Sequence, residues 1–281
     1  MIKKNIVIII LLVCLIILIF NYFYPTDKKS ILRRKLEKIP LGKKWLLKYD
    51  SRTENGDNTD ILFAPSNKKD FNNVWKNLNK TLDIISFINS TKLTKVEKEI
   101  FYEYIREHQT RKIVRDFFVD NYAWAIPTQS SIKCIADFIS QDTCLEVGCG
   151  LGIWAYFLKN QYNVNIIATD DKSTHYDSSV RKNNTYIDYQ DISSLDAVKK
   201  FNDANALLLV WPPYNNSMGY EALKEFKGNK FIYVGEEKRG CTGTDEFFDL
   251  LEKEWMRIEP EHNNMSWPNI DDKLVFFVRK N

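Results

Sequence analysis

Residues 143–153 read Thr-Cys-Leu-Glu-Val-Gly-Cys-Gly-Leu-Gly-Ile, and no other stretch restricts the fold so tightly. A short apolar run carrying Glu146 gives way to three glycines at alternate positions, Gly148, Gly150 and Gly152. A helical pattern from Ile153 to Asn160 follows. Glycines at a strand-to-helix turn accept positive φ and let a ligand come close to the main chain. A dinucleotide-binding turn needs G-x-G-x-x-G, but Ile153 stands where its third glycine belongs. What remains is an acid two residues ahead of G-x-G-x-G.

The chain downstream alternates between strand and helix patterns. Val164–Thr169 reads as a second strand ending at Asp170 and Asp171, and Thr185–Tyr189 as a third leading into Gln190 and Asp191. Ala206–Val210 is continuously apolar, as a buried parallel strand should be. Phe231–Val234 is a fifth strand, and Trp255–Ile258 with Leu274–Val278 makes a closing pair. Helices are expected at Thr128–Ile139, Ser194–Phe201, Met218–Phe226 and Asp245–Lys253. This order predicts an α/β fold, a doubly wound, mostly parallel, seven-stranded Rossmann-like sheet. Ligands bind such sheets at the carboxyl ends of the strands, where Glu146, Asp170, Asp191, Trp211 and Glu236 all fall.

Glu146 with the Gly148-Cys149-Gly150-Leu151-Gly152 turn resembles motif I of the class I S-adenosylmethionine-dependent methyltransferases. The resemblance covers roughly residues 115–281 and implies S-adenosylmethionine as cofactor. It implies that Glu146, Gly148, Cys149, Gly150 and Gly152 pass its amino-acid part, and that Asp170, with Asp171 next in line, accepts the ribose hydroxyls. It also implies that Asp191 contacts the adenine amino group. Glu146 and Asp170 are 24 positions apart, about one strand–helix–strand unit. In many of these enzymes the segment before motif I folds over the cofactor, so Tyr122 and Trp124 are expected in the pocket wall, and Trp211 is expected among the cofactor-binding residues as well.

The acceptor side is less specific. Trp211-Pro212-Pro213-Tyr214 resembles the Asp/Asn-Pro-Pro-Tyr motif of enzymes that methylate amino groups. Trp211 offers one donor and no acceptor, so it cannot orient an amino group as Asp or Asn would. Tyr214 could stack on a planar or cationic group. Trp211, Tyr214 and Glu236 are the candidate catalytic residues. Glu236 opens a glycine-punctuated loop running to Thr244, a candidate lid, and Glu261–Pro268 is a second candidate wall. His262 lies in that wall, placed either as a base or as an exposed loop residue. Nucleic acid is disfavoured as a partner, because Lys238-Arg239 is the only basic pair near the site. The partner implied is an unidentified methyl acceptor: a small molecule, a lipid or a protein side chain. A scaffold that keeps the fold without catalysis is the alternative, although none of the cofactor positions is broken.

Residues 5–24 are almost unbroken Ile, Leu, Val and Phe without charge, long enough to cross the roughly 30 Å bilayer core as a helix. No small-x-small cleavage site follows, so residues 1–26 are expected to be an uncleaved membrane anchor. Lys28, Lys29, Arg33, Arg34, Lys35 and Lys38 outweigh Lys3 and Lys4, which places the catalytic domain on the cytosolic side. Residues 27–66 then form a basic juxtamembrane segment and linker, 67–120 a helical cap, and 121–281 the methyltransferase domain. Thr94 with Glu97 predicts a capping box within the cap. The five cysteines lack any C-x-x-C pair, so no disulfide framework or metal site is expected.

Overall fold

Alternation along each strand decides which helix covers it. The computed structural model describes residues 28–40, 72, 74–76, 78–79, 93–107, 115, 118–173, 185–262, 264, 266–267 and 270–280. The expected anchor lies outside these residues. Among those described, no helix is long and apolar enough to cross a membrane. The helices are α1 (Lys28–Glu37), α2 (Lys95–Glu107), α3 (Gln129–Ile139), α4 (Ile153–Tyr162), α5 (Ser194–Lys200), α6 (Met218–Glu225) and α7 (Asp245–Glu254). The strands are β1 (Cys144–Val147), β2 (Ile166–Asp170), β3 (Gln190–Asp191), β4 (Ala206–Val210), β5 (Lys230–Gly235), β6 (Trp255–Ile258) and β7 (Lys273–Arg279).

The strands form one sheet in the order β3-β2-β1-β4-β5-β7-β6. β1 to β5 are parallel to one another, and β7 runs antiparallel to both β5 and β6. On one face Leu145, Val147, Leu207, Leu209, Phe231, Tyr233, Val275 and Phe277 pack beneath residues of α5, α6 and α7. Each such side chain contributes roughly 1.5–3 kcal/mol by leaving water. The intervening residues serve the opposite face, where Phe138 of α3 stacks on Phe276 of β7 at 4.4 Å. Glu146 alternates with Leu145 and Val147, so the period of two assigns it to the α3/α4 side.

The third strand is displaced from its expected place. Thr185–Tyr189 is not in the sheet, and pairing is confined to Gln190 and Asp191, which lie opposite Thr169 and Asp170. The preceding segment is held elsewhere: the Tyr186 amide donates to the Leu151 carbonyl at 2.9 Å and its hydroxyl to the Asn121 carbonyl at 2.6 Å.

The chain divides into two compact units, Met1–Leu62 with Ser86–Arg115, and Phe63–Ile85 with Asp116–Asn281. The division runs through the segment expected as one helical cap. In the first unit α1 packs on α2, burying Leu32 and Leu36. The Thr94–Glu97 capping box is formed: the Thr94 amide donates to Glu97 Oε2 at 2.7 Å and the Glu97 amide to Thr94 Oγ1 at 3.2 Å. In the second unit Trp75 stacks on Phe157 of α4 at 3.9 Å.

Candidate functional site

The sheet order reverses direction between β1 and β4, which opens a crevice at their carboxyl ends. The turn after β1 enters it with φ of +67° at Gly148, +58° at Gly150 and +75° at Gly152. A Cβ at Gly152 would lie 2.4 Å from Ile187 Cγ2, so both the left-handed conformation and the close approach require glycine there. The turn is fastened to β2. Cys149 donates its amide to the Thr169 carbonyl at 3.0 Å, and Gly150 donates to Asp170 Oδ2 at 2.8 Å. The other Asp170 oxygen accepts the Lys172 amide at 2.8 Å. Asp170 is therefore buried and shapes the turn as well as standing at the strand tip.

Glu146 is 1% exposed, and neither of its carboxyl oxygens has a hydrogen-bond partner. Burial pushes its pKa up to about 8; the Ala155 amide at the start of α4, which faces the carboxyl without reaching hydrogen-bond geometry, pulls it down, and the nearby Asp170 carboxylate raises it. A buried carboxyl without a donor costs free energy. A proton removes its charge, and a cation that carries N–H groups would supply the donors it lacks.

The other expected adenosine contacts stand in the open. Asp191 is exposed and pairs with Lys172 Nζ at 2.6 Å. Asp171 is exposed and accepts from the Ser173 amide at 2.9 Å. Cys149 is half-buried within the turn.

On the other side of the crevice Trp211 leaves β4 with φ +53°, its amide donating to the Val234 carbonyl at 2.7 Å. Its ring lies 6.2 Å from that of Trp124, the planes inclined by only 19°. The Trp124 carbonyl accepts the Trp267 indole at 3.0 Å, which ties the segment before β1 to the lead into β7. Tyr122 takes a different position from its neighbour. It is fully buried, with its ring 5.0 Å from Phe118 and 6.1 Å from Tyr186.

Tyr214 is 71% exposed, on a loop whose Pro213 bridges to Thr242 and whose Asn215 amide donates to the Gly243 carbonyl at 3.0 Å. Glu236, expected to act on the acceptor, has both carboxylate oxygens engaged by backbone. Oε2 accepts the Cys241 amide at 2.7 Å and Oε1 the Asp271 amide at 2.9 Å. Those two contacts join the loop after β5 to the lead into β7 and hold the Glu236 carboxylate in place. His262 is exposed beside Glu261.

Sequence reasoning overlooked Ile187, which closes over Gly152, and Asp272. The latter is 2% exposed, with Oδ2 accepting the Asn264 amide group at 2.5 Å and Oδ1 unpartnered, and its pKa is raised to about 6 chiefly by burial. An acid just ahead of a strand pattern looks like a turn residue, so no sequence signal separates it from its exposed neighbour Asp271.

No family model matches the chain, and no curated protein matches its sequence. Solved structures do. One is an rRNA methylase from Streptococcus thermophilus (11% identity, 56% of this chain, 100% of that one, TM-score 0.35). A second is magnesium protoporphyrin IX methyltransferase from Synechocystis PCC 6803 with bound S-adenosylmethionine (10% identity, 71% and 97%, TM-score 0.36). A third is 1,6-didemethyltoxoflavin-N1-methyltransferase from Burkholderia thailandensis (13% identity, 62% and 90%, TM-score 0.36). With five parallel strands wound from a switch point between β1 and β4, and β7 inserted antiparallel before β6, the chain has the class I methyltransferase fold.

Proposed function

We propose that the chain is a membrane-anchored S-adenosylmethionine-dependent methyltransferase whose catalytic domain faces the cytosol. The observation that carries the cofactor reading is Glu146: a buried carboxyl with two unpartnered oxygens, next to a turn of three left-handed glycines. That donor set fits an amino-acid ligand. Glu146 is placed to take the ligand's ammonium group, and the glycine turn lets its backbone approach closely. On this reading Asp170 and Asp191, at the ends of adjacent strands, accept from ribose and adenine. When bound, the cofactor supplies an electrophilic methyl group on sulfur. The chain's task is to hold that methyl in line with the acceptor and keep water out, and positioning of this kind supplies much of the rate.

The apolar run at residues 5–24 and the basic flank after it support the anchor and its orientation. They favour an acceptor near the membrane. The amino-group methyltransferase reading loses ground at Trp211, which has no acceptor atom.

Calorimetric titration of S-adenosylmethionine and S-adenosylhomocysteine into the full-length protein tests the proposal. Micromolar binding, weakened in Glu146→Gln and in Asp170→Ala, is the expected result. Absence of binding by folded protein favours the scaffold. For the anchor, the full chain should sediment with membranes, and a chain lacking residues 1–26 should stay in the supernatant.

A further inference from the structure

Two tryptophans, Trp124 and Trp211, stack on one another at the mouth of the crevice. Trp124 and Trp211 are half-buried and nearly parallel, whereas the aromatic residues of the core, such as Phe231, Tyr233 and Phe247, are hidden completely. Trp211 has φ +53°, a conformation bulky residues adopt only under constraint, and such residues gather at functional sites. Both indoles are pinned from behind. The Trp211 amide is bonded to Val234, and the Trp124 carbonyl to Trp267, whose ring abuts Phe118 edge-on at 5.3 Å. Pro212 and Pro213 stiffen the exit from β4, and the Pro213–Thr242 bridge holds it to the next loop.

The strand order locates this pair. The acids suited to adenosine end β2 and β3, the glycine turn follows β1, and Trp211 follows β4 on the far side of the switch point. The tryptophans therefore stand on the opposite side of the switch point from the acids that end β2 and β3. On this rim Lys238 pairs with Asp249, and Glu237 with Arg257 and with Lys273. What the wall offers is flat apolar surface held rigidly, which selects for ring faces over charge or chain length.

We propose that the methyl acceptor is a flat aromatic molecule stacked against the Trp124–Trp211 pair. This rests on the methyltransferase reading and names the substrate class of the same site. In the transfer, a lone pair on a nitrogen or oxygen substituent of the ring forms the new bond to the methyl carbon. The carbon–sulfur bond breaks with its electron pair left on sulfur, and the substituent's proton passes to water.

The test uses full-length protein saturated with S-adenosylhomocysteine and two neutral probes of like size, 2-naphthol and its saturated counterpart decahydro-2-naphthol. Calorimetry should show 2-naphthol binding at least roughly fivefold tighter than the saturated probe. Trp211→Ala and Trp124→Ala should each weaken 2-naphthol by roughly tenfold, the scale of stacking losses on alanine substitution. Trp211→Phe should restore most of the affinity, which a mere packing defect would not predict. In each variant the loss of 2-naphthol affinity should exceed any loss of S-adenosylhomocysteine affinity by roughly fivefold. Equal binding of the two probes, no binding of 2-naphthol, or indifference to both alanine variants overturns the proposal. So does a large loss of S-adenosylhomocysteine binding in Trp211→Ala, because it would make the pair part of the cofactor wall. If S-adenosylhomocysteine does not bind the unmodified protein, both readings fall; if only the naphthol results fail, the methyltransferase reading stands.

Discussion

Glu146 holds its carboxyl out of water with no donor for either oxygen, and its pKa of about 8 lies far above the ordinary value of 4.5. The sign of the pH effect follows. The folded protein holds a proton there that the unfolded chain gives up, so this contribution to stability is complete below about pH 4.5 and is lost as pH rises towards 8. Asp272, raised to about 6, adds a smaller decline over the acidic half of that range. Denaturant unfolding at pH 5 and pH 8 should show the lower stability at pH 8, and Glu146→Gln should flatten the difference. Ligand binding should run the other way. A cationic ammonium needs the carboxylate, so affinity for S-adenosylhomocysteine should climb between pH 6 and 8, by up to about tenfold per unit. Binding heats at pH 7 should vary with the buffer's ionisation enthalpy as a proton is released. Gly152 constrains the same turn sterically. Gly152→Ala combines φ +75° with a 2.4 Å approach to Ile187, and a loss of about 1–3 kcal/mol is expected. Adding Ile187→Ala should recover only the clash, leaving the backbone strain visible in the melting temperature.

Among elements, those whose residues satisfy both local pattern and tertiary pairing were legible in the sequence. Ala206–Val210 and Trp255–Ile258 are strands at the expected bounds, and the helix over 129–139 has Thr128 as its cap. The third strand was not legible, for a physical reason. Tyr186 and Ile187 have the composition of a strand, but their side chains are taken by Tyr122, Tyr156 and Gly152, so the segment covers the glycine turn and only two later residues reach β2. Propensity reports the extended backbone and is silent about its partner. The candidate site divides in the same way. The glycine turn and the acids at the strand ends could be read from spacing, but the task of Glu236 could not, because its partners Cys241 and Asp271 are 5 and 35 residues away. Glu236→Ala should free those two amides. Hydrogen exchange should then accelerate at Cys241 and Asp271 while β5 stays protected, and an unchanged exchange map would argue against a fastening role for Glu236.

On the scale of the whole molecule, the unit built around the sheet begins before the glycine-turn domain that the sequence suggests, because it includes Phe63–Ile85. Trp75 shows what that segment contributes. Its ring lies 3.9 Å from Phe157 at an angle of 16°, its indole donates to Gln161 Oε1 at 3.0 Å, and only 3% of it is exposed. Both partners belong to α4, the helix whose N-terminus follows Gly152. A residue some eighty positions upstream is thereby packed against the helix that the glycine turn introduces. A mere linker would contribute nothing to the sheet unit, so Trp75→Ala would leave its unfolding unchanged. An integral segment makes the substitution open a cavity against α4, for which about 3–5 kcal/mol is expected. Denaturant unfolding followed by far-ultraviolet circular dichroism measures the difference. Because the cavity would lie along α4, the same variant should also weaken S-adenosylhomocysteine binding by loosening the helix behind the turn. Trp75→Phe, which keeps a ring for Phe157 but loses the Gln161 bond, should fall between the two. A loss of stability with unchanged binding would place the segment in the fold but outside the site.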